Sequence, residues 1–335
     1  MDEQVSTTRS AHPEPGYRAW LYDVDGEDAP VSVDRLHLPD VGDEQILWID
    51  VDLEAARDLG QLWSDLMIRE QIETLKTTDP RPQLVRHEGF VQLNVLAVRD
   101  PDSDFVPVLL YYLVGKNWIA TLHHGELDLV DRFNEPLAED TRLGELDGPA
   151  FLSMVLDWQL NGYFRVIERL QADIDQLDEE LLQPRPNQPA LLERLYLMRQ
   201  RVTKLRTTLS PHRDVFGLLS HPKSEMLLGS RATAEYRRLL DRLESALDAV
   251  DTTREMVVGS FDIFMTQTSQ ATNEIMKRLT LVSVLLLPAV VVAGIMGMNF
   301  KIGLFELPWM FWVTVVAMAL LAVVTMIVAR RRRWI

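Results

Sequence analysis

Two stretches near the end of the chain restrict its architecture more than any other feature. LTLVSVLLLPAVVVAGIMGM, Leu279 to Met298, and the run from about Pro308 to Ala329 are each about twenty residues long and free of charge. A helix of that length crosses the ~30 Å hydrocarbon core of a bilayer. Lys277 and Arg278 flank the first run and Arg330 to Arg333 end the second. Basic residues gather on the cytoplasmic side, so both termini are expected there and the short loop 299–307 outside. Trp309, Trp312 and Trp334 suit the two interfaces. The first run closes on GIMGMNF, and Asn299 needs hydrogen-bond partners at a membrane surface. Asparagine tolerates left-handed geometry and serves as a helix C-cap. The same amide, repeated in several copies around an axis, would offer a ring of neutral oxygens, and the two roles can coexist.

The formal charge is −16, yet from Glu274 onward seven basic residues face only two acidic ones. The acid excess therefore sits upstream, where it repels nucleic acid and concentrates cations. The absence of cysteine removes disulfides, thiolate metal sites and cysteine nucleophiles. Residues 1–16 are polar, lack the features of a signal peptide, and are expected to form a disordered tail. Residues 17–147 mix β-type runs (YRAWLY, QILWIDVD, FVQLNVLAV, FVPVLLYYLV, NWIATL) with one helical stretch, EAARDLGQLWSDLMIREQIETL, and read as an α/β domain. Residues 148–276 read as a helical domain and stalk, broken at PRPNQP and SPH, and residues 277–335 as a membrane hairpin with a basic tail.

The last long helix begins near Ala232 and meets no breaker before about Gly297, a span of roughly 100 Å. Its apolar seam is expected at Leu240, Leu243, Leu247, Val250, Val257, Phe261 and Phe264, interrupted by Arg254. One step further on, Asp241, Glu244, Asp248, Asp251, Glu255 and Asp262 line a neighbouring face, and Thr266, Ser269, Asn273, Met276 and Thr280 continue it into the apolar run. An acidic stripe is ordinarily a solvated face; continuity with a membrane helix raises the alternative of a water-filled lumen walled by several copies. Pro288 suits a kink, and Ala289, Ala293, Gly294 and Gly297 suit close helix packing. A ring of amide oxygens suits magnesium, which keeps its waters. Phosphate-binding, zinc-protease and nucleophile-elbow motifs are all missing, which argues against an enzyme and against ATP. His123 and His124 suggest zinc, or a structural or exposed pair after a strand.

The tripeptide Gly297, Met298, Asn299, preceded by NEIMKRLT and LPAVVVAGIMGMNF and, further upstream, by LSPHRDVFGLL, closely resembles the CorA family of divalent-cation transporters. The resemblance implies an α+β membrane protein of the plasma (inner) membrane: a cytoplasmic α/β/α domain, a long helical stalk and a two-helix hairpin, assembled as a funnel-shaped homopentamer. It implies a selectivity ring at Gly297, Met298 and Asn299. Pore-lining positions fall at Asn273, Met276, Leu279 or Thr280, Leu287 and Val290, the apolar ones acting as a gate. Asp262 matches an acidic position at the cytoplasmic mouth. Metal between subunits would hold the closed state, with Asp262, Asp251 and Asp248 as candidate ligands. Expected partners are other copies, lipid and divalent ions: Mg2+, with Co2+, Ni2+ or Zn2+ possible as cargo. Two departures stand out. Met296 replaces the usual tyrosine, and the outer loop carries Lys301 first and Glu306 later, where the family places acids early. The zinc-transporting ZntB branch therefore stays open, as does a membrane-anchored sensor that transports nothing.

Overall fold

Seven strands build one sheet: β1 (Tyr17–Asp23), β2 (Ala29–Pro30), β3 (Gln45–Asp52), β4 (Gln83–Arg86), β5 (Val91–Val98), β6 (Pro107–Val114) and β7 (Trp118–His123), in the order β2-β1-β3-β7-β6-β5-β4. The structure is a computed structural model; it describes residues 16–25, 28–32, 41–55, 81–99, 105–125, 127, 129–135, 142–183, 188–222, 225–298 and 308–331. The five β-type runs of the sequence form β1, β3, β5, β6 and β7. The helical stretch expected over 54–75 and the N-terminal tail fall almost entirely outside the described residues. All ladders are antiparallel except β3 with β7.

Alternation sorts the strands' side chains onto two faces. Tyr17, Ala19, Leu47, Ile49, Val51, Tyr111, Leu113, Ala120 and Leu122 share one buried cluster. On the other face Trp48 meets the rings of Phe133 and Phe151 edge-on, at 5.3 and 5.7 Å between centroids. Phe133 belongs to α1 (Leu129–Asn134) and Phe151 to α2 (Gly148–Leu181). The start of α2 explains its sequence. Asp147 accepts a hydrogen bond from the Ala150 amide at 2.8 Å, a side-chain N-cap. Gly148 donates its amide to the Lys116 carbonyl at 2.6 Å. A Cβ on Gly148 would lie 2.2 Å from the Gly115 carbonyl oxygen, so only glycine permits this approach.

The chain divides into two units: Met1–Leu177 with Glu193–Val258, and Asp178–Leu192 with Gly259–Ile335. Most of α2 and of α3 (Gln188–Leu209), all of α4 (His212–Leu219) and the start of α5 (Glu225–Gly297) lie in the first. SPH separates α3 from α4. The LSPHRDVFGLL segment then does work at the sheet edge. Ladder partners of β4 end at Asn94, and beyond that point His212 accepts the Leu96 amide at 3.0 Å while Tyr163 donates to the Leu96 carbonyl at 2.7 Å. Two helical side chains thus take the place of a neighbouring strand; each buried backbone group left alone would cost ~1–3 kcal/mol.

The helix α5 begins seven residues before Ala232 and runs for 73 residues to Gly297. From Tyr236 onward its buried side chains are Tyr236, Leu239, Leu243, Ala246, Val250, Thr253, Val257, Ser260 and Phe264, in regular steps of three and four. The expected seam is therefore half correct. Leu243, Val250, Val257 and Phe264 belong to it, whereas Leu240, Leu247 and Phe261 are only half-buried. The positions it missed hold Leu239, Ala246, Thr253 and Ser260, of which only Leu239 is a large apolar residue. Thr253 is buried because its hydroxyl donates to the Ala249 carbonyl at 2.8 Å and accepts from Gln171 at 3.0 Å. Arg254 then needs no place in the seam and is exposed.

Candidate functional site

Two described helices, α5 and α6 (Pro308–Arg331), carry windows long and apolar enough to cross a membrane. The way they meet fixes the site. On α5 the half-buried residues of the apolar run are Leu281, Leu285, Pro288, Ala289, Val292 and Met296; on α6 they are Met310, Thr314, Met318, Ala322 and Thr325. These stripes face one another, since the Thr314 hydroxyl lies 3.8 Å from the Met296 sulfur. Met296, where the family resemblance expects tyrosine, is thus a contact to α6. Among the small residues expected to pack helices, only Ala289 lies on the stripe. Ala293, Gly294 and Gly297 are exposed, and a Cβ built on either glycine meets no atom within 4 Å. The helical period turns them away from α6.

At about 100° per residue, the positions Asn273, Met276, Thr280, Ser283, Leu287, Val290, Gly294 and Gly297 form one line, centred about 180° round α5 from the stripe that meets α6. All eight are exposed. Met276, Leu287 and Val290 are 55, 65 and 67 % exposed and Leu279, at the edge of the line, 59 %. Gln270, Asn273, Glu274, Met276, Lys277 and Thr280 also line an open hollow on the α5 surface. The structure thus places Asn273, Met276, Thr280, Leu287, Val290 and Gly297 on one face, and adds Ser283 and Gly294, which counting sevens from Met276 and from Asn273 through Thr280 and Leu287 reaches. Met298 is exposed at the helix end; Asn299, Lys301 and Glu306 lie outside the described residues.

Upstream, the acidic face separates into two rows. Glu244 receives Arg213 and Asp251 receives Arg206, each at 2.8 Å. Asp241, Asp248, Glu255 and Asp262, spaced by sevens, are exposed. This second row runs through Ser269 and Met276 into the membrane line, drifting by about 20° per seven residues. Among the described residues, no three histidines or carboxylates of one chain converge on a common ion position.

The adjacent histidines do different things. His123 is buried, its Nδ1 donating to the Gly125 carbonyl at 2.7 Å and its Nε2 3.3 Å from Asp50. Burial raises the Asp50 pKa; burial also works against the His123 imidazolium, but the hydrogen bond and charge of Asp50 outweigh it and raise the pKa of His123. His124 is half-exposed beside Glu54 at 3.7 Å.

The profile of a family described as CorA-like Mg2+ transporter protein matches residues 43–331. The cobalt/magnesium transport protein CorA of Thermotoga maritima is 30 % identical over 186 residues, which span 55 % of this chain and 52 % of that protein. The zinc transport protein ZntB of Yersinia enterocolitica is 23 % identical over 84 % of each chain. The structure of the CorA magnesium transporter from Methanocaldococcus jannaschii superposes with a TM-score of 0.77 at 20 % identity, covering 95 % of this chain and 98 % of that one, and establishes the shared fold.

Proposed function

This chain belongs to the CorA-like Mg2+ transporter family, and on that premise we propose that it carries hydrated divalent cations inward through a homopentameric pore in the plasma membrane. The observation that carries the reading is the α5 register: a line of small, polar and gate-sized apolar residues stands opposite the stripe committed to α6. Five copies arranged about an axis would wall a tunnel with that line and leave α6 outside, facing lipid. At the outer end Gly297, Met298 and Asn299 form the selectivity ring, whose amide oxygens accept hydrogen bonds from the water shell of Mg2+, Co2+ or Ni2+. Met276, Leu287 and Val290 close the tunnel by excluding water.

Influx needs no chemical step. A divalent ion entering down 100 mV gains ~4.6 kcal/mol. The exposed row Asp241, Asp248, Glu255 and Asp262 gathers cations at the cytoplasmic end. Metal bound between copies, with Asp248 and Asp262 supplying carboxylates from each, shifts the population towards the closed state. The similarity to a zinc transport protein favours one second reading, a zinc carrier coupled to protons.

Liposomes loaded with reporters for magnesium, cobalt, nickel and zinc test the two readings, with and without a proton gradient. Divalent influx driven by potential alone, abolished by Asn299→Leu, is the expected result, with five copies by native mass spectrometry. A monomeric particle, or full flux through Asn299→Leu, refutes the pore; a membrane-anchored sensor would behave that way.

A further inference from the structure

Between Leu279 and Met298 only two side chains of α5 are hydroxylic, Thr280 and Ser283, and both fall on the exposed line opposite α6. Each spends its single proton inward: Thr280 donates to the Met276 carbonyl at 2.8 Å and Ser283 to the Leu279 carbonyl at 3.0 Å. What each oxygen turns outward is lone pairs alone. Pro288 adds a third acceptor at this level. It has no amide proton, so the carbonyl of Val284, the residue after Ser283, loses its helical donor. A carbonyl without a donor is costly in hydrocarbon. Along the line from Met276 to Gly297 no side chain offers an N–H.

We propose that Thr280 and Ser283 form a belt of acceptor-only oxygens that holds a hydrated divalent cation within the membrane span, between the apolar levels of Met276 and Leu287. The inference rests on the pore reading above and deepens it by assigning an ion site at this depth. Around a closed axis every copy contributes two hydroxyl oxygens to the water shell of the ion. An anion finds no donor there. The belt therefore sets charge sign, and it gives the ion a resting place between two dewetting constrictions.

The chain contains no cysteine, which allows a clean test. In liposomes, Ser283→Ala and Thr280→Val are compared with the wild-type protein for Mg2+ influx and its concentration dependence, with assembly size checked by native mass spectrometry. Loss of one acceptor contact in every copy around the axis predicts at least a fivefold fall in flux for Ser283→Ala and a larger fall for the double variant. Ser283→Cys should react with a membrane-impermeant cationic thiol reagent, block flux on reaction, and be protected by Mg2+. Leu285→Cys, turned to α6, should react at least tenfold more slowly. Unchanged flux and saturation in Ser283→Ala, or equal reactivity at 283 and 285 without Mg2+ protection, overturns the belt while leaving the pore standing. A wild-type protein that carries no divalent flux overturns the pore and this inference with it.

Discussion

Acidification should loosen the sheet-bearing unit through one imidazole. His212 is fully enclosed, accepts the Leu96 amide through Nε2 at 3.0 Å and donates from Nδ1 to the Leu209 carbonyl at 3.1 Å. Protonating Nε2 would turn that acceptor into a second donor facing an N–H. Burial accordingly pushes the His212 pKa down to about 4, from 6.5 in an unfolded chain. Between those values the unfolded chain binds the extra proton, so stability is fully present above pH 6.5 and is lost as pH falls towards 4. The linkage relation gives a loss of about 2 kcal/mol between pH 7 and pH 5 and roughly 3 kcal/mol in all. The assay is hydrogen exchange of the peptide containing Leu96 in the full-length protein, converted to opening free energies at pH 5, 6 and 7. His212→Gln keeps an acceptor for Leu96 but does not titrate, so it should flatten this dependence. The Asp50–His123 pair acts in the opposite direction. Both pKa values are raised, so the His123 contribution is fully present below pH 6.5 and that of Asp50 only below 3.8, and each is lost as pH rises through the folded value. These contributions are common to both proteins and cancel in the comparison. Equal slopes for wild type and His212→Gln would refute the reasoning.

Gly148→Ala should lower stability by about 1–3 kcal/mol, because its Cβ would lie 2.2 Å from a backbone oxygen that cannot move without shifting the β6–β7 turn; thermal unfolding monitored by tryptophan fluorescence checks it. Asp251→Asn breaks a half-exposed pair with Arg206 and should cost no more than about 1 kcal/mol. The same variant separates two roles for this carboxylate: a pairing role leaves the dependence of influx on internal Mg2+ unchanged, whereas a metal-ligand role shifts it.

The elements that show themselves in the sequence are those with long, uniform patterns. QILWIDVD alternates and becomes β3, and the two apolar runs become the α5 end and α6, because in both cases burial or lipid requires every second or nearly every residue to be apolar. Patterns that mix residue types mislead. The α5 seam is misplaced by one residue at alternate steps, since Thr253 can be buried once its hydroxyl is bonded to its own helix, while Leu247 looks apolar and stays half-exposed. Gly294 and Gly297 look like packing residues but face away from α6, and only the phase set by Met296 and Thr314 reveals that. The same phase brings Ser283 into line. Contacts between distant segments, such as His212 with Leu96, carry no local signal at all.

The single parallel ladder has a consequence for how the domain is made. β2, β1 and β3 form one antiparallel block, and β7, β6, β5 and β4 another; the β3–β7 pairing is all that welds them within the sheet. Each block closes through near neighbours, whereas the weld pairs residues 71 positions apart, so the inner edge of β3 stays open until β7 has been synthesised. Two buried polar contacts cross that weld diagonally, Trp48 to Thr121 at 2.8 Å and His123 to Asp50 at 3.3 Å. A slip of β7 by one residue would turn Thr121 and His123 to the opposite face and leave Trp48 and Asp50 without their partners. The late joint is thereby keyed to one alignment, and it is the polar groups, not the aliphatic ones around them, that cut the key.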